Sequence, residues 1–119
     1  MDQPAVYREQ RRSYRVDTSG TEAVCDMSVG RDYVAQRYDV DNLSSGGALL
    51  SSGRLVPIGQ AMRVILMPPG STFIEANARV VRHHAEDALA IAFDELTADA
   101  DDAIQGIVAD TILRYWRPR

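Results

Sequence analysis

The stretch TFIEANARVVRHHAEDALAIAF, residues 72–93, decides the fold. From Thr72 to His83, the apolar residues Ile74, Ala76, Ala78 and Val80 fall on every second position. That is the period of a strand with one face buried. His84 to Asp87 is polar and suits a hairpin connection, after which Leu89, Ile91 and Phe93 resume the alternation in a final strand.

Upstream, Ala23, Cys25, Met27 and Val29 alternate with polar residues, and Gly30, Arg31 and Asp32 supply a turn. A second strand carries Val34, Tyr38 and Val40 and is expected to end at Asp41-Asn42. The short apolar run Ala48-Leu49-Leu50 follows Ser44-Ser45-Gly46-Gly47 and is broken by Ser51-Ser52-Gly53. Met62, Val64 and Leu66 make another strand, which Pro68-Pro69-Gly70 stops. About six short strands at regular spacing are a sandwich or barrel signature, and closing the sheet removes vulnerable edges. Downstream, the period changes. Ile104, Ile107, Val108, Ile112 and Tyr115 recur at three- and four-residue steps, so one helix face is apolar. Thr97 or Asp99 can cap its start, early aspartates suit its positive end, and Pro118 closes it.

The expected architecture is a mainly β fold. It comprises a small six-stranded antiparallel β-barrel with a C-terminal α-helix over residues 21–119, preceded by a flexible arginine-rich arm over residues 1–20. The 119 residues fit one domain, and 45% apolar with 25% charged content is that of a soluble globular chain. No apolar run approaches the roughly 20 residues of a membrane span, so no membrane insertion is expected. The start of the chain lacks the apolar stretch of a signal peptide, and one cysteine makes no internal disulfide, so the expected location is the cytoplasm.

The formal net charge of −4 disfavours a nucleic-acid polymer as partner. Position matters more than the sum. Arg8, Arg11, Arg12 and Arg15 crowd the N-terminus, Arg114, Arg117 and Arg119 crowd the C-terminus, and acids gather from Asp94 to Asp102. All 13 basic residues are arginines, so the choice of arginine at any one site carries little information.

Two short motifs stand out. Arg11-Arg12-Ser13-Tyr14-Arg15 contains R-x-x-x-R, and Asn42-Leu43-Ser44-Ser45-Gly46-Gly47 fits [D/N]-x-S-x-x-G. Singly, the first reads as a solvated arm and the second as turn chemistry, because Asn and Ser bond their own backbone. In this order, with the second leading into a barrel strand, the sequence resembles the PilZ domain family, receptors for the bacterial second messenger cyclic di-GMP. The resemblance runs from about Gln10 to Tyr115 and includes the Ala-Ile-Ala-Phe-Asp-Glu-Leu ending of the last strand. Asn42 stands where the family more often has aspartate.

The resemblance implies a ligand held by Arg11, Arg12 and Arg15 on one side and Asn42, Ser44 and Gly47 on the other. The chemistry agrees. An arginine fork donates two hydrogen bonds to guanine O6 and N7, clamps phosphate oxygens, or stacks on a purine face. Asn42 can accept from guanine N1–H or N2–H₂, Ser44 can donate or accept, and Gly47 is expected to leave room for the ligand. Arg82, near the end of a long strand, is placed to flank it as an auxiliary contact. The arm is expected to order on binding. Gln10 precedes the arginine motif where the family's stacked ligand pairs go with a basic residue, which implies one ligand per chain.

Other chemistry is thin. His83 and His84 are adjacent on a strand and point to opposite faces, so no metal site is expected. Cys25 lies on the apolar face of its strand. No nucleophile elbow, triad or phosphate loop is present, so neither an enzyme nor a cofactor is expected. The resemblance implies a receptor that signals to a separate, unidentified protein in motility, exopolysaccharide and biofilm, or virulence control. The Ala-rich strands and the Tyr115-Trp116 end of the helix are its candidate contact surfaces, although Trp116 reads first as cover for the barrel. The alternative is a nucleotide-independent docking protein for pilus or motility machinery, and a single-stranded nucleic-acid binder is disfavoured by 7% aromatic content.

Overall fold

In the computed structural model the described residues are 16–17 and 20–115. The expected clamp residues Arg11, Arg12 and Arg15, together with Trp116 and Pro118, lie outside them. Seven strands form: β1 (Val16–Asp17), β2 (Glu22–Val29), β3 (Asp32–Ser44), β4 (Gly47–Ser51), β5 (Ala61–Met67), β6 (Ile74–Ala85) and β7 (Ala88–Phe93). One helix, α1 (Ala98–Tyr115), follows.

All pairings are antiparallel, in the order β1-β3-β2-β5-β6-β7-β4, and β4 returns to pair with β3. Strands β2 to β7 therefore close a six-stranded barrel, with β1 attached outside the ring on β3. The hairpin expected over His84 to Asp87 is tighter, since β6 continues to Ala85 and only Glu86-Asp87 turn.

The period-two positions fill the barrel. Cys25, Tyr38, Leu43, Leu50, Val64, Leu66, Val80, Leu89 and Ile91 are all buried in one cluster. Helix α1 packs against β1, β3 and β6 and sends Ala100 and Ile104 into the same cluster. Thr97 caps it: its Oγ1 accepts from the Ala100 N–H at 3.1 Å.

Three register shifts set the outward faces. The register between β3 and β4 shifts between Val40 and Asn42, and that between β6 and β7 shifts between Val80 and Arg82 and again between His83 and Ala85. The extra residues are Asp41, Val81 and His84. The first bulge is why β3 was expected to end at Asp41-Asn42. Beyond it, Leu43 rather than Asn42 points inward, and β3 runs on to Ser44. Strands β3 and β6, of 13 and 12 residues, are accordingly longer than the short strands the sequence suggested.

Strands β4 and β7 are buried on both faces. Ala48 and Leu50, like Leu89 and Ile91, join the core cluster. Leu49 and Ala90 point away from it yet are 8% and 1% exposed. Such two-faced burial is what unbroken apolar runs of this length signal.

A candidate ligand face on the barrel wall

The Asn42–Gly47 motif is the β3–β4 hairpin itself: Asn42 and Ser44 end β3, Ser45-Gly46 turn, and Gly47 opens β4. Ser44 pairs with Gly47, and Asn42 with Leu49. Because Leu43 faces the core, Asn42 faces outward.

Following the partners across the barrel gives two outward rows. Asn42 pairs with Leu49, Leu49 with Ala90 and Ala90 with Arg82. One step along, Ser44 pairs with Gly47, Gly47 with Ala92 and Ala92 with Arg79. The register thus lines up small and apolar residues between Asn42 and Ser44 on one side and two guanidinium groups on the other, with Ser44, Leu49 and Ala90 themselves buried. Three strand spacings separate Asn42 from Arg82, roughly 14 Å.

The motif residues differ in what holds them. Ser44 is buried. Its Oγ accepts from the Gly46 N–H at 3.2 Å and lies 3.4 Å from the Gly47 carbonyl, so the hydroxyl is engaged within its own turn. A Cβ on Gly47 would sit 2.1 Å from the Ile91 carbonyl oxygen. Glycine is required there by the approach of β7, whether or not a ligand also uses the space. Asn42 is different: half-buried, it has no side-chain hydrogen bond among the described residues. The bulge residue Asp41 is tied down by Ser51, whose hydroxyl donates to it at 3.0 Å.

On the far side, Arg79 pairs with Asp94 at 3.4 Å, whereas Arg82 has no carboxylate partner among the described residues and meets only His84 Nδ1 at 3.2 Å. His83 instead lies 2.7 Å from the Val56 carbonyl through Nε2, so the two histidines do hold different partners.

Strand β1 brings the arginine motif's end of the chain here. Val16 pairs with Leu43 and Asp17 with Asn42. The position that directly follows Arg15 in sequence is therefore fixed beside the hairpin. Leu49, Ala90 and Asp17 were not singled out in the sequence. The signal for the first two was the continuous apolar character of β4 and β7.

Among the described residues no group of three or more His, Cys, Asp or Glu is placed to hold a metal ion. No helix there is long and apolar enough to cross a membrane. Burial pushes the Cys25 thiol up to about 12, and the neighbouring Asp26 charge adds to the effect.

The site residues thus sit on a closed six-stranded antiparallel barrel with an outer β1 and a helix packed against β1, β3 and β6. The chain matches the PilZ domain over residues 9–110 and belongs to that family. No curated protein matches it significantly. Among solved structures it resembles Bacillus subtilis inhibitor of motility (MotI/DgrA), at 21% identity and a TM-score of 0.70, over 90% of this chain and 53% of that one. It also resembles Escherichia coli YcgR in complex with c-di-GMP, at 14% identity and a TM-score of 0.73, over 88% of this chain and 47% of that one. A third is the PilZ domain of CeSA from a cellulose-synthesizing bacterium, at 14% identity and a TM-score of 0.61, over 82% of this chain and 97% of that one. The chain thus spans about half the length of the first two. At these identities the likeness is one of fold.

Proposed function

We propose that this chain is a cyclic di-GMP receptor that holds the dinucleotide against the outward wall of β3, β4, β7 and β6. Arg11, Arg12 and Arg15 clamp it from the segment that leads into β1, and Asn42 hydrogen-bonds a guanine edge. Arg82 approaches from the far side. The observation that carries the reading is the pairing of Asp17 with Asn42, which puts the chain two residues after Arg15 beside the second motif and supports reading the two motifs as one site. Family membership and the c-di-GMP complex of YcgR support the choice of ligand. The protein acts by binding, and the bound ligand holds residues 1–15 against the barrel as one surface for a partner protein to read.

Ordering those residues costs about 1–2 kcal/mol each. Several charge-assisted contacts of roughly 1.5–3 kcal/mol offset that cost. Titration calorimetry with cyclic di-GMP tests the reading. Micromolar or tighter binding is expected for the native chain. Arg15→Ala is expected to abolish it while leaving the melting temperature of the free protein unchanged. Normal binding by Arg15→Ala would overturn the site assignment, and no binding by the native chain would favour nucleotide-independent docking.

A further inference from the structure

A groove of about 470 Å³ lies at the other end of β6, between its first residues and the start of α1. Apolar side chains line it, among them Phe73, Leu96 and Ala103, while Glu75, Glu95 and Asp99 stand at its rim. Phe73 is 68% exposed, a large aromatic surface that the barrel leaves outside its core. Among the described residues no arginine or histidine lines the groove. Asp99 belongs to the first turn of α1, where the helix dipole accounts for a negative charge. Glu95 precedes the Thr97 cap, and Glu75 sits on β6, so neither serves that turn. Glu75 meets Arg63 at 3.3 Å, and Glu95 and Asp99 have no ion-pair partner among the described residues.

An open groove with an apolar patch at Phe73, Leu96 and Ala103 and with the carboxylates of Glu95 and Asp99, unpaired among the described residues, at its rim selects its occupant by complementarity. We infer that this groove docks a cationic segment of a partner protein, with a bulky apolar side chain seated beside Phe73 and Leu96 and arginine or lysine facing Glu95 and Asp99. An acidic segment is repelled by the rim, and a wholly polar one leaves the apolar patch uncovered. The inference does not depend on the dinucleotide reading. Phe73 and Glu75 lie seven or more residues from Arg82 along β6, about 23 Å or more at roughly 3.3 Å per residue, while the groove's nearest lining residue, Asn77, is about 16 Å from it, so the seat beside Phe73 is separate from the Arg82 side of the wall.

Fluorescence anisotropy on the full chain tests it, with two labelled peptides of equal length. One alternates leucine pairs with arginine pairs, and the other carries glutamate in place of arginine. Saturable binding of the arginine peptide is expected, weakened by added salt, and weaker by about tenfold or more in Phe73→Ser and in Glu95→Arg. Both positions are exposed, and circular dichroism checks that each variant folds. Cyclic di-GMP binding by the two variants is expected to be unchanged, which separates a failure here from a failure of the receptor reading. Equal binding of both peptides, no saturable binding of the arginine peptide, or unchanged affinity in both variants overturns the proposal. So does concentration-dependent self-association that Phe73→Ser abolishes, because the occupant is then a second copy of the chain.

Discussion

Gly47→Ala separates what the hairpin does for the barrel from what it does for a ligand. The added Cβ lies 2.1 Å from the Ile91 carbonyl oxygen, and real Cβ contacts essentially never fall below 3.0 Å. The neighbour is backbone, so no rotamer change relieves the clash, and β4 must retreat from β7 by about 0.9 Å or more. A ladder hydrogen bond near 2.9 Å stretched by that amount leaves the bonding range. Overpacking of this kind costs about 1–3 kcal/mol, and one or two weakened ladder bonds add about 1 kcal/mol each. The expected loss is about 3 kcal/mol, a large share of the roughly 5–15 kcal/mol that a domain of this kind possesses. Urea denaturation should show the midpoint falling by roughly 1–2 M with an unchanged slope, and the melting temperature dropping on the order of 10 °C. The glycine conformation contributes nothing to this figure, because Gly47 is not among the positive-φ residues. An unchanged midpoint with cyclic di-GMP binding lost would refute the argument, since glycine would then serve the ligand and not β7.

Gly106 in α1 is the converse case: a Cβ there meets nothing within 4 Å, so Gly106→Ala should stabilise by about 0.5–1 kcal/mol, read as a higher urea midpoint. Cys25 gives a pH signature. Its thiol is held neutral up to about 12 in the fold, against an ordinary value of 9.0, so it ionises first in the unfolded chain. Its contribution is complete below the ordinary value and is lost as pH rises toward 12, about 2 kcal/mol by roughly pH 10.5. The Tyr38 hydroxyl, also raised to about 12 chiefly by burial, steepens the same decline. Urea midpoints between pH 8 and 10.5 should fall, and Cys25→Val should reduce the slope; a pH-independent midpoint in the native chain would contradict the burial argument. Asn42→Ala should weaken cyclic di-GMP binding about tenfold with an unaltered midpoint, while Ser44→Ala should lower both affinity and stability, the latter by about 1 kcal/mol. Calorimetry and urea titration of the same two variants decide this, and a stability loss in Asn42→Ala would count against its being free for a ligand.

The barrel was legible because alternation survives along most of the sheet. Ile74 to Val80 and Ala23 to Met27 keep period two without a break, and those positions are the buried ones. The reading slipped at β3, where Val40 and Leu43 both face inward across the Asp41 bulge, three residues apart instead of two. A bulge inserts one residue into the pattern, and period alone cannot tell it from a strand end. The same device at Val81 turns Arg82 outward onto the wall, where the sequence could place it only near a ligand. Spacing groups Asn42, Ser44 and Gly47 as one motif, but it does not show what each does in the fold. Spacing does not reveal that the Ile91 carbonyl stands against Gly47, because the contact comes from a strand over forty residues away in the chain. Leu49 and Ala90 were overlooked because apolar residues in apolar runs carry no mark of which side they face.

These differences bear on how a hairpin so short would serve the proposed receptor. Two of its three motif residues are committed to the fold: Ser44 to its own turn, and Gly47 to the approach of β7. Only Asn42 has polar atoms without a hydrogen-bond partner among the described residues. The motif therefore works mainly as a frame, fixing β4 against β7 so that Leu49, Ala90 and Ala92 line up as a close-packed floor, and it offers one specific contact at the floor's edge. A frame of that kind has little affinity by itself, since one amide is worth about 1 kcal/mol net. Charge must come from elsewhere, and the outward side of the wall has it in Arg82, free of carboxylates among the described residues. In the proposed complex the larger share is supplied by the arginines that precede β1. Val16 and Asp17 pair with the very residues, Leu43 and Asn42, that form the hairpin's first arm, so the chain just after the arginine motif is held where the floor begins. Losing the β1 pairing should then weaken ligand binding even with every arginine retained. Inserting a flexible glycine-serine segment between Arg15 and Val16 tests this: affinity should fall by an order of magnitude or more as the effective concentration of the clamp drops. An insertion that left affinity intact would show that the arginines find the ligand without that anchor.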